Sequence, residues 1–174
     1  MRIFALSGSL RSASSNTAAL RALASLAPPE VTVALYTGLG ALPHFNADLD
    51  GDMPPAAVRA LREAVGQADA LIISSPEYAR GIAGSLKNAL DWLVGSDTFP
   101  GKPVAILNTS PRAQHADAHL RLTLSTMAAV LVPEADVTLP LIGTAMTADA
   151  IAADAQMSHA LRNMLDALQK TVAG

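Results

Sequence analysis

The sequence predicts an α/β fold: a doubly wound, five-stranded parallel sheet with helices on both faces, spanning residues 1–174 as one domain. Three observations predict it. Five short apolar runs alternate with segments of helical periodicity, in β-α-β-α order at roughly 20–30 residues per unit. The third and fourth runs are near-continuous hydrophobics rather than alternating ones, which marks strands covered on both faces. The chain has 174 residues, 51% hydrophobic and 16% charged, which suits one well-buried core and leaves little room for two.

The elements follow in chain order. The first run is Ile3 to Leu6. Thr17 to Leu26 carries Leu20, Leu23 and Leu26 at helical spacing and is stopped by Pro28-Pro29. Val31 to Leu35 is the second run. Pro55 to Gln67 sets Val58, Leu61 and Val65 on one helical face, and Ala70 to Ile73 is the third run. Ser85 to Leu93 reads as a helix with Leu86, Ala89, Leu90 and Leu93 in register. Val104 to Leu107 is the fourth run. Ala118 to Leu131 reads as the next helix, and the fifth strand is expected within Ala135 to Leu139. The tail from Ala148 to Val172 continues as one helix through Leu161, Leu165 and Leu168.

Composition removes several functions. The net charge of −3, with no Lys/Arg cluster, lacks a nucleic-acid footprint. The absence of cysteine excludes disulfide staples, thiolate nucleophiles and Cys-based metal centres. No apolar stretch approaches the ~18 residues of a membrane span, and Ile3 to Leu6 is too short for a signal peptide. The expectation is a soluble, cytoplasmic protein without nucleic-acid or membrane partners.

In open α/β sheets ligands bind outside the carboxyl ends of the strands. Three loops are therefore in question: Ser7 to Asn16, Ser74 to Gly84 and Asn108 to Ala116. The first is crowded with hydroxyls and holds Arg11. Hydroxyls, a guanidinium and backbone N–H groups at a helix start are what a phosphate monoester needs. The same serines could simply cap the helix. A P-loop pattern and a G-x-G-x-x-G after the first strand are both missing. In the second loop Pro76 and two glycines forbid regular helix, and Tyr78 offers an apolar face beside backbone polar groups, which suits a flat conjugated ring. A half-buried Tyr in a connecting loop is the alternative. His115 and His119 are four apart with Asp117 between them. No third ligand is evident, so a solvated helix start is expected rather than a metal site.

Two motifs together resemble a known family. Gly8-Ser9-Leu10-Arg11-x-x-Ser14-x-Asn16 and Pro76-Glu77-Tyr78-x-x-Gly81-Ile82-x-Gly84-x-Leu86-Lys87-Asn88-Ala89-x-Asp91-Trp92 are similar to those of the NADPH-dependent FMN reductases, which include quinone, chromate and azo-dye reductases. Leu42-Pro43-x-Phe45-Asn46-x-Asp48-Leu49 and Gly101-Lys102-Pro103-Val104 agree with it, so the resemblance reaches to about Ser110. It implies a flavodoxin-like fold with strand order 2-1-3-4-5. It further implies FMN as cofactor and NAD(P)H as co-substrate. Ser9, Arg11, Ser14 and Asn16 would hold the phosphate, with Ser15 and Thr17 nearby. Pro76, Glu77, Tyr78, Arg80 and Gly81 would line the isoalloxazine ring, with Ser110 beside it.

The chain departs from the family at two places. Ala79 stands where Asn is usual. Pro111-Arg112-Ala113-Gln114-His115-Ala116 replaces a glycine-rich loop, so the backbone is expected to approach the ring less closely, and Arg112 brings a positive charge. The implied activity is electron transfer from NAD(P)H through FMN to a flavin, quinone, azo compound or metal oxyanion, with no catalytic acid or base from the protein. A flavodoxin-like electron carrier without NAD(P)H turnover, or a flavin-free interaction protein, are the alternatives. A homodimer or homotetramer is expected, because Leu86, Leu90, Trp92 and Leu93 give one helix apolar residues on more than one side.

Overall fold

In the computed structural model, which describes residues 1–174, the strands of the main sheet are β1 (Arg2–Ser7), β2 (Thr32–Leu35), β3 (Ala70–Ser74), β6 (Pro103–Asn108), β7 (Val130–Leu131) and β8 (Val137–Thr138). A separate two-stranded ribbon, β4 (Glu77–Tyr78) with β5 (Gly81–Ile82), lies between β3 and β6 in sequence. The helices are α1 (Ser15–Leu26), α2 (Ala56–Gly66), α3 (Gly84–Val94), α4 (Gln114–Thr126), α5 (Ala148–Ala153) and α6 (Ala155–Ala173). The sheet runs β2-β1-β3-β6 in parallel, and the fifth position is shared by β7 and β8. This is the flavodoxin-like order 2-1-3-4-5. No helix is long and apolar enough to cross a membrane.

Alternation along each strand sends neighbours to opposite faces. Phe4, Leu6, Leu71 and Ile73 pack under α2, α3 and α4. Ile3, Ala5, Ala70 and Ile72 pack under α1 and α6. Both faces are covered, which is why β1 and β3 read as unbroken hydrophobic runs.

Three element assignments differ from the sequence reading. The fifth strand is broken: Val130–Leu131, read above as the end of a helix, pairs with the start of β6, and Val137–Thr138 pairs with its end. Helix α4 stops earlier because Ala128 adopts a left-handed φ of 60°. The Ala129 N–H then reaches back to the Leu124 carbonyl and the Ala128 N–H to that of Ser125, which closes the helix without a glycine. Between β7 and β8 the chain turns through Pro133–Ala135, where Pro133 has no N–H to give to a ladder. The Ile106 N–H left facing this gap donates instead to Asp136 Oδ1 at 2.7 Å. The C-terminal tail is two helices, because Asp154 accepts from the N–H groups of Gln156 and Met157 and starts α6 afresh.

Leu86, Leu90, Trp92 and Leu93 are all fully buried within the one chain. The side of α3 away from the sheet is covered by the segment after β2. There Trp92 Nε1 and Asn88 Nδ2 both donate to the Pro43 carbonyl, at 2.8 and 2.9 Å, and the Phe45 ring meets Trp92 edge-on. These four residues of α3 therefore need no partner subunit, and they do not supply a motive for oligomerisation.

Candidate functional site

The carboxyl ends of β1, β3 and β6 open into a cleft of about 400 Å³. Its position follows from the strand order, since neighbouring crossovers on opposite faces leave a crevice there. Three loops and one later segment line it.

The loop after β1 supplies Ser9, Arg11, Ser15 and Asn16. Gly8 allows the loop to lie against its neighbour: a Cβ there would sit 3.1 Å from Ser75 Oγ and 3.2 Å from Leu86 Cβ. Asn16 is buried, and its side-chain oxygen accepts from Ser74 Oγ at 2.8 Å and Thr109 Oγ1 at 3.1 Å. One amide thus ties the first turn of α1 to the ends of β3 and β6, and its NH₂ remains for the cleft. Ser14 caps α1 by accepting from the Thr17 N–H, and the Thr17 hydroxyl pairs with that of Ser7. Neither faces this cleft.

The ribbon after β3 supplies Ser75, Pro76, Glu77 and Tyr78. Glu77 Oε2 accepts from the Ala116 N–H at 2.9 Å. Helix α4 has no side-chain cap of its own, so the Glu77 carboxylate satisfies its first turn and pins the ribbon to it. Tyr78 is 52% exposed. The ribbon turns at Ala79 and Arg80, whose φ angles are 49° and 60°. Two consecutive positive φ values make a tight primed hairpin turn, which favours Asn-Gly and strains Ala-Arg. Arg80 and Gly81 lie outside the cleft, with Gly81 packed near His119. Ala79→Asn should relieve about 1 kcal/mol of that strain. Amide exchange in the ribbon is then expected to slow by about fivefold, and unchanged exchange would show the turn to be unstrained.

The loop after β6 supplies Thr109, Ser110, Arg112 and Ala113. It is shorter than the sequence reading, because α4 begins at Gln114. Ser110 to Ala113 form a tight turn, with Ala113 N–H donating to the Ser110 carbonyl and Pro111 at the position whose φ it pre-sets. Arg112 then projects to the cleft, where it and Arg11 make no ion pair. Ile142 and Gly143, from beyond β8, close the remaining side.

Eight of the residues expected from sequence meet in this cleft: Ser9, Arg11, Ser15, Asn16, Pro76, Glu77, Tyr78 and Ser110. Ser14, Thr17, Arg80 and Gly81 do not. Ser75 and Thr109 adjoin the motifs and could have been found there. Ile142 and Gly143 follow the broken fifth strand, and no local pattern points to them. The histidines of α4 gather no metal set, since no group of three or more His, Asp or Glu converges anywhere in the chain.

The cleft is polar and cationic at one end, through Ser9, Arg11, Ser15 and Asn16. Pro76, Tyr78, Ala113 and Ile142 add apolar and aromatic surface to its lining. That donor set fits a phosphorylated, flat-ringed cofactor such as FMN.

Comparison with known proteins agrees. The family model described as NADPH-dependent FMN reductase matches residues 1–144. The chain is 35% identical to the NAD(P)H-dependent FMN reductase PA1204 of Pseudomonas aeruginosa, across 97% of this chain and 94% of that protein. It is 42% identical to a 2-hydroxy-1,4-benzoquinone reductase of a Burkholderia species, across 70% of this chain and 68% of the relative. Among solved structures it resembles FerB, a flavoenzyme NAD(P)H:(acceptor) oxidoreductase from Paracoccus denitrificans, with a TM-score of 0.86 and 30% identity over 99% of this chain and 97% of that one.

Proposed function

The chain belongs to the NADPH-dependent FMN reductase family, and on that premise we propose that the cleft at the ends of β1, β3 and β6 is its FMN site. The protein is an FMN-dependent oxidoreductase that passes electrons from NAD(P)H to quinone or flavin acceptors. The observation that carries the site assignment is the convergence of Arg11, the Ser9 and Ser15 hydroxyls and the Asn16 amide on one cleft that Pro76 and Tyr78 also line.

Ser9, Arg11, Ser15 and Asn16 would hold the phosphate. Pro76, Glu77, Tyr78, Ser110 and Arg112 would line the ring. FMN, when bound, supplies the hydride and electron chemistry. The residues' own work is positional. Asn16 locks the three loops at fixed separation, Glu77 holds the ribbon against α4, and Arg112 adds positive charge where an anionic ring edge or acceptor comes to rest. No side chain is required as a proton donor or acceptor. The test is direct. Purified protein should carry visible flavin absorbance and oxidise NAD(P)H when a quinone is supplied. Colourless protein that takes up no added FMN would overturn the reading, and bound flavin without NAD(P)H turnover would favour the carrier.

The whole chain serves as one domain, and it works as a homodimer or homotetramer. Support for assembly comes from Leu49, Met53 and Val94, exposed apolar residues on two segments that meet where Asp50 approaches Gly95. Val94→Glu should shift sedimentation toward monomer, and an unaltered boundary would place the contact elsewhere. Consumption of NAD(P)H supports a cytoplasmic location, beside the pool of that reductant.

A further inference from the structure

The cleft lining holds two guanidiniums, Arg11 and Arg112, and a single carboxylate, Glu77, which is occupied with the Ala116 N–H. Arg112 is exposed and makes neither an ion pair nor a side-chain hydrogen bond. The turn that carries it offers a ligand little else. The Ser110 N–H donates to Asn108 Oδ1 at 2.9 Å, the Arg112 N–H to Ser110 Oγ at 3.2 Å and the Ala113 N–H to the Ser110 carbonyl at 3.1 Å. Pro111 has no N–H to give. From Ser110 to Ala113 every backbone donor is thus committed, and the guanidinium is what this turn presents to the cleft. Two large side chains of the same lining, Tyr78 and Ile142, are 52% and 56% exposed. Exposed aromatic and apolar surface in one cleft with an unpaired cation suits a flat anion.

We propose that Arg112 sets the acceptor preference of this chain: it favours an aromatic quinone that carries a carboxylate or sulfonate, with Arg112 pairing the acidic group and Tyr78 and Ile142 receiving the ring. The inference rests on the reading of the cleft as the flavin site. There Arg11 is engaged with the cofactor phosphate, and Arg112 is the cation of the lining left without an anion. An uncharged quinone leaves Arg112 unpaired, and a bare oxyanion has no ring to set against Tyr78 and Ile142. Guanidinium pairing with a carboxylate or sulfonate supplies the charge recognition. Reduction of the quinone consumes the hydride of one NAD(P)H and one proton from water, gives the hydroquinone and leaves the charge of the acidic group as it was. Arg112 therefore acts by holding the acceptor and not in the electron step, and its effect belongs in kcat/KM.

The test uses anthraquinone-2-sulfonate and its uncharged isostere, anthraquinone-2-sulfonamide, with native protein, Arg112→Gln and Arg112→Lys, each loaded with FMN. Turnover is measured with NAD(P)H present, and binding by calorimetry with NAD(P)H absent. The ratio of kcat/KM for the sulfonate to that for the sulfonamide should fall about fivefold in Arg112→Gln, and further at low salt. Arg112→Lys should recover part of it, since the charge remains and the planar fork does not. In calorimetry the sulfonate should bind Arg112→Gln about fivefold more weakly than native protein, with the sulfonamide alike in both. A selectivity ratio or a sulfonate affinity within about twofold of native in Arg112→Gln overturns the proposal. So does a loss in Arg112→Gln that falls on FMN affinity instead, because Arg112 then holds the flavin. Sulfonate binding that depends on Arg112 in a chain that takes up no FMN would uphold the anion subsite while refuting the flavin site.

Discussion

Arg11→Ala should weaken FMN binding by about ten- to a hundredfold, with the fold intact. Arg11 extends from the hydroxyl-rich loop after β1, forms no internal ion pair and lies at the polar end of the cleft. A hydrogen bond to a charged group contributes roughly 1.5–3 kcal/mol, which is the source of the range. Its removal has no structural cost, because nothing in the protein depends on the guanidinium. The loop itself is shaped by other groups, through Ser9 Oγ accepting from the Arg11 N–H and Ser85 Oγ donating to the Gly8 carbonyl. Arg11→Lys should restore part of the affinity, since a point charge replaces a planar fork. Salt should weaken the native protein's affinity more than the variant's. Flavin fluorescence quenching on titration measures all three. An Arg11→Ala protein with native affinity would move the phosphate elsewhere, with Arg112 the remaining cation in the cleft.

Asp136→Ala should destabilise the protein by about 2–3 kcal/mol near neutral pH. Asp136 fills the gap in the fifth strand position. One oxygen accepts from the Ile106 N–H, and the other pairs with Arg121 at 2.8 Å. Arg121 also forks onto Asp117 within α4 at 2.7 and 3.2 Å. Truncation therefore leaves a sheet amide without a partner and removes the tie between α4 and the sheet edge. Asp136→Asn keeps an acceptor for Ile106 and should cost less. The pH dependence has a definite sign. Burial raises the Asp136 pKa above its ordinary value, against the lowering effects of the Ile106 N–H and Arg121. The folded state then binds this proton more readily than the unfolded chain, so the Asp136 contribution to stability falls as pH rises from the ordinary carboxylate range through the raised folded pKa. Asp136→Asn should remove that slope. Denaturant midpoints measured across the acid range decide it, and a native slope in the variant would assign it to another group.

The sequence by itself determined the class of sheet and pointed to the strand ends where the cleft lies. Runs buried on both faces, such as Ala70 to Ile73, must be unbroken hydrophobics whatever the neighbours are, and helices such as Ala56–Gly66 announce themselves by period. The motif residues around Arg11 and Tyr78 are legible because the phosphate and flat ring of the proposed FMN site would make local chemical demands. Tertiary structure alone decided the rest. Asn16, Asn88 and Trp92 look alike as motif residues, yet Asn16 ties α1 to the ends of β3 and β6 while Asn88 and Trp92 hold the Pro43 carbonyl. Those partners lie about forty to ninety residues away in sequence, and no local pattern encodes them. The fifth strand escaped for a similar reason. Four residues in two pieces carry too little periodicity to read, and what makes them a strand is the edge of β6 and the Asp136 carboxylate set between them. Ile142 and Gly143 reach the cleft only because that broken strand delivers them there.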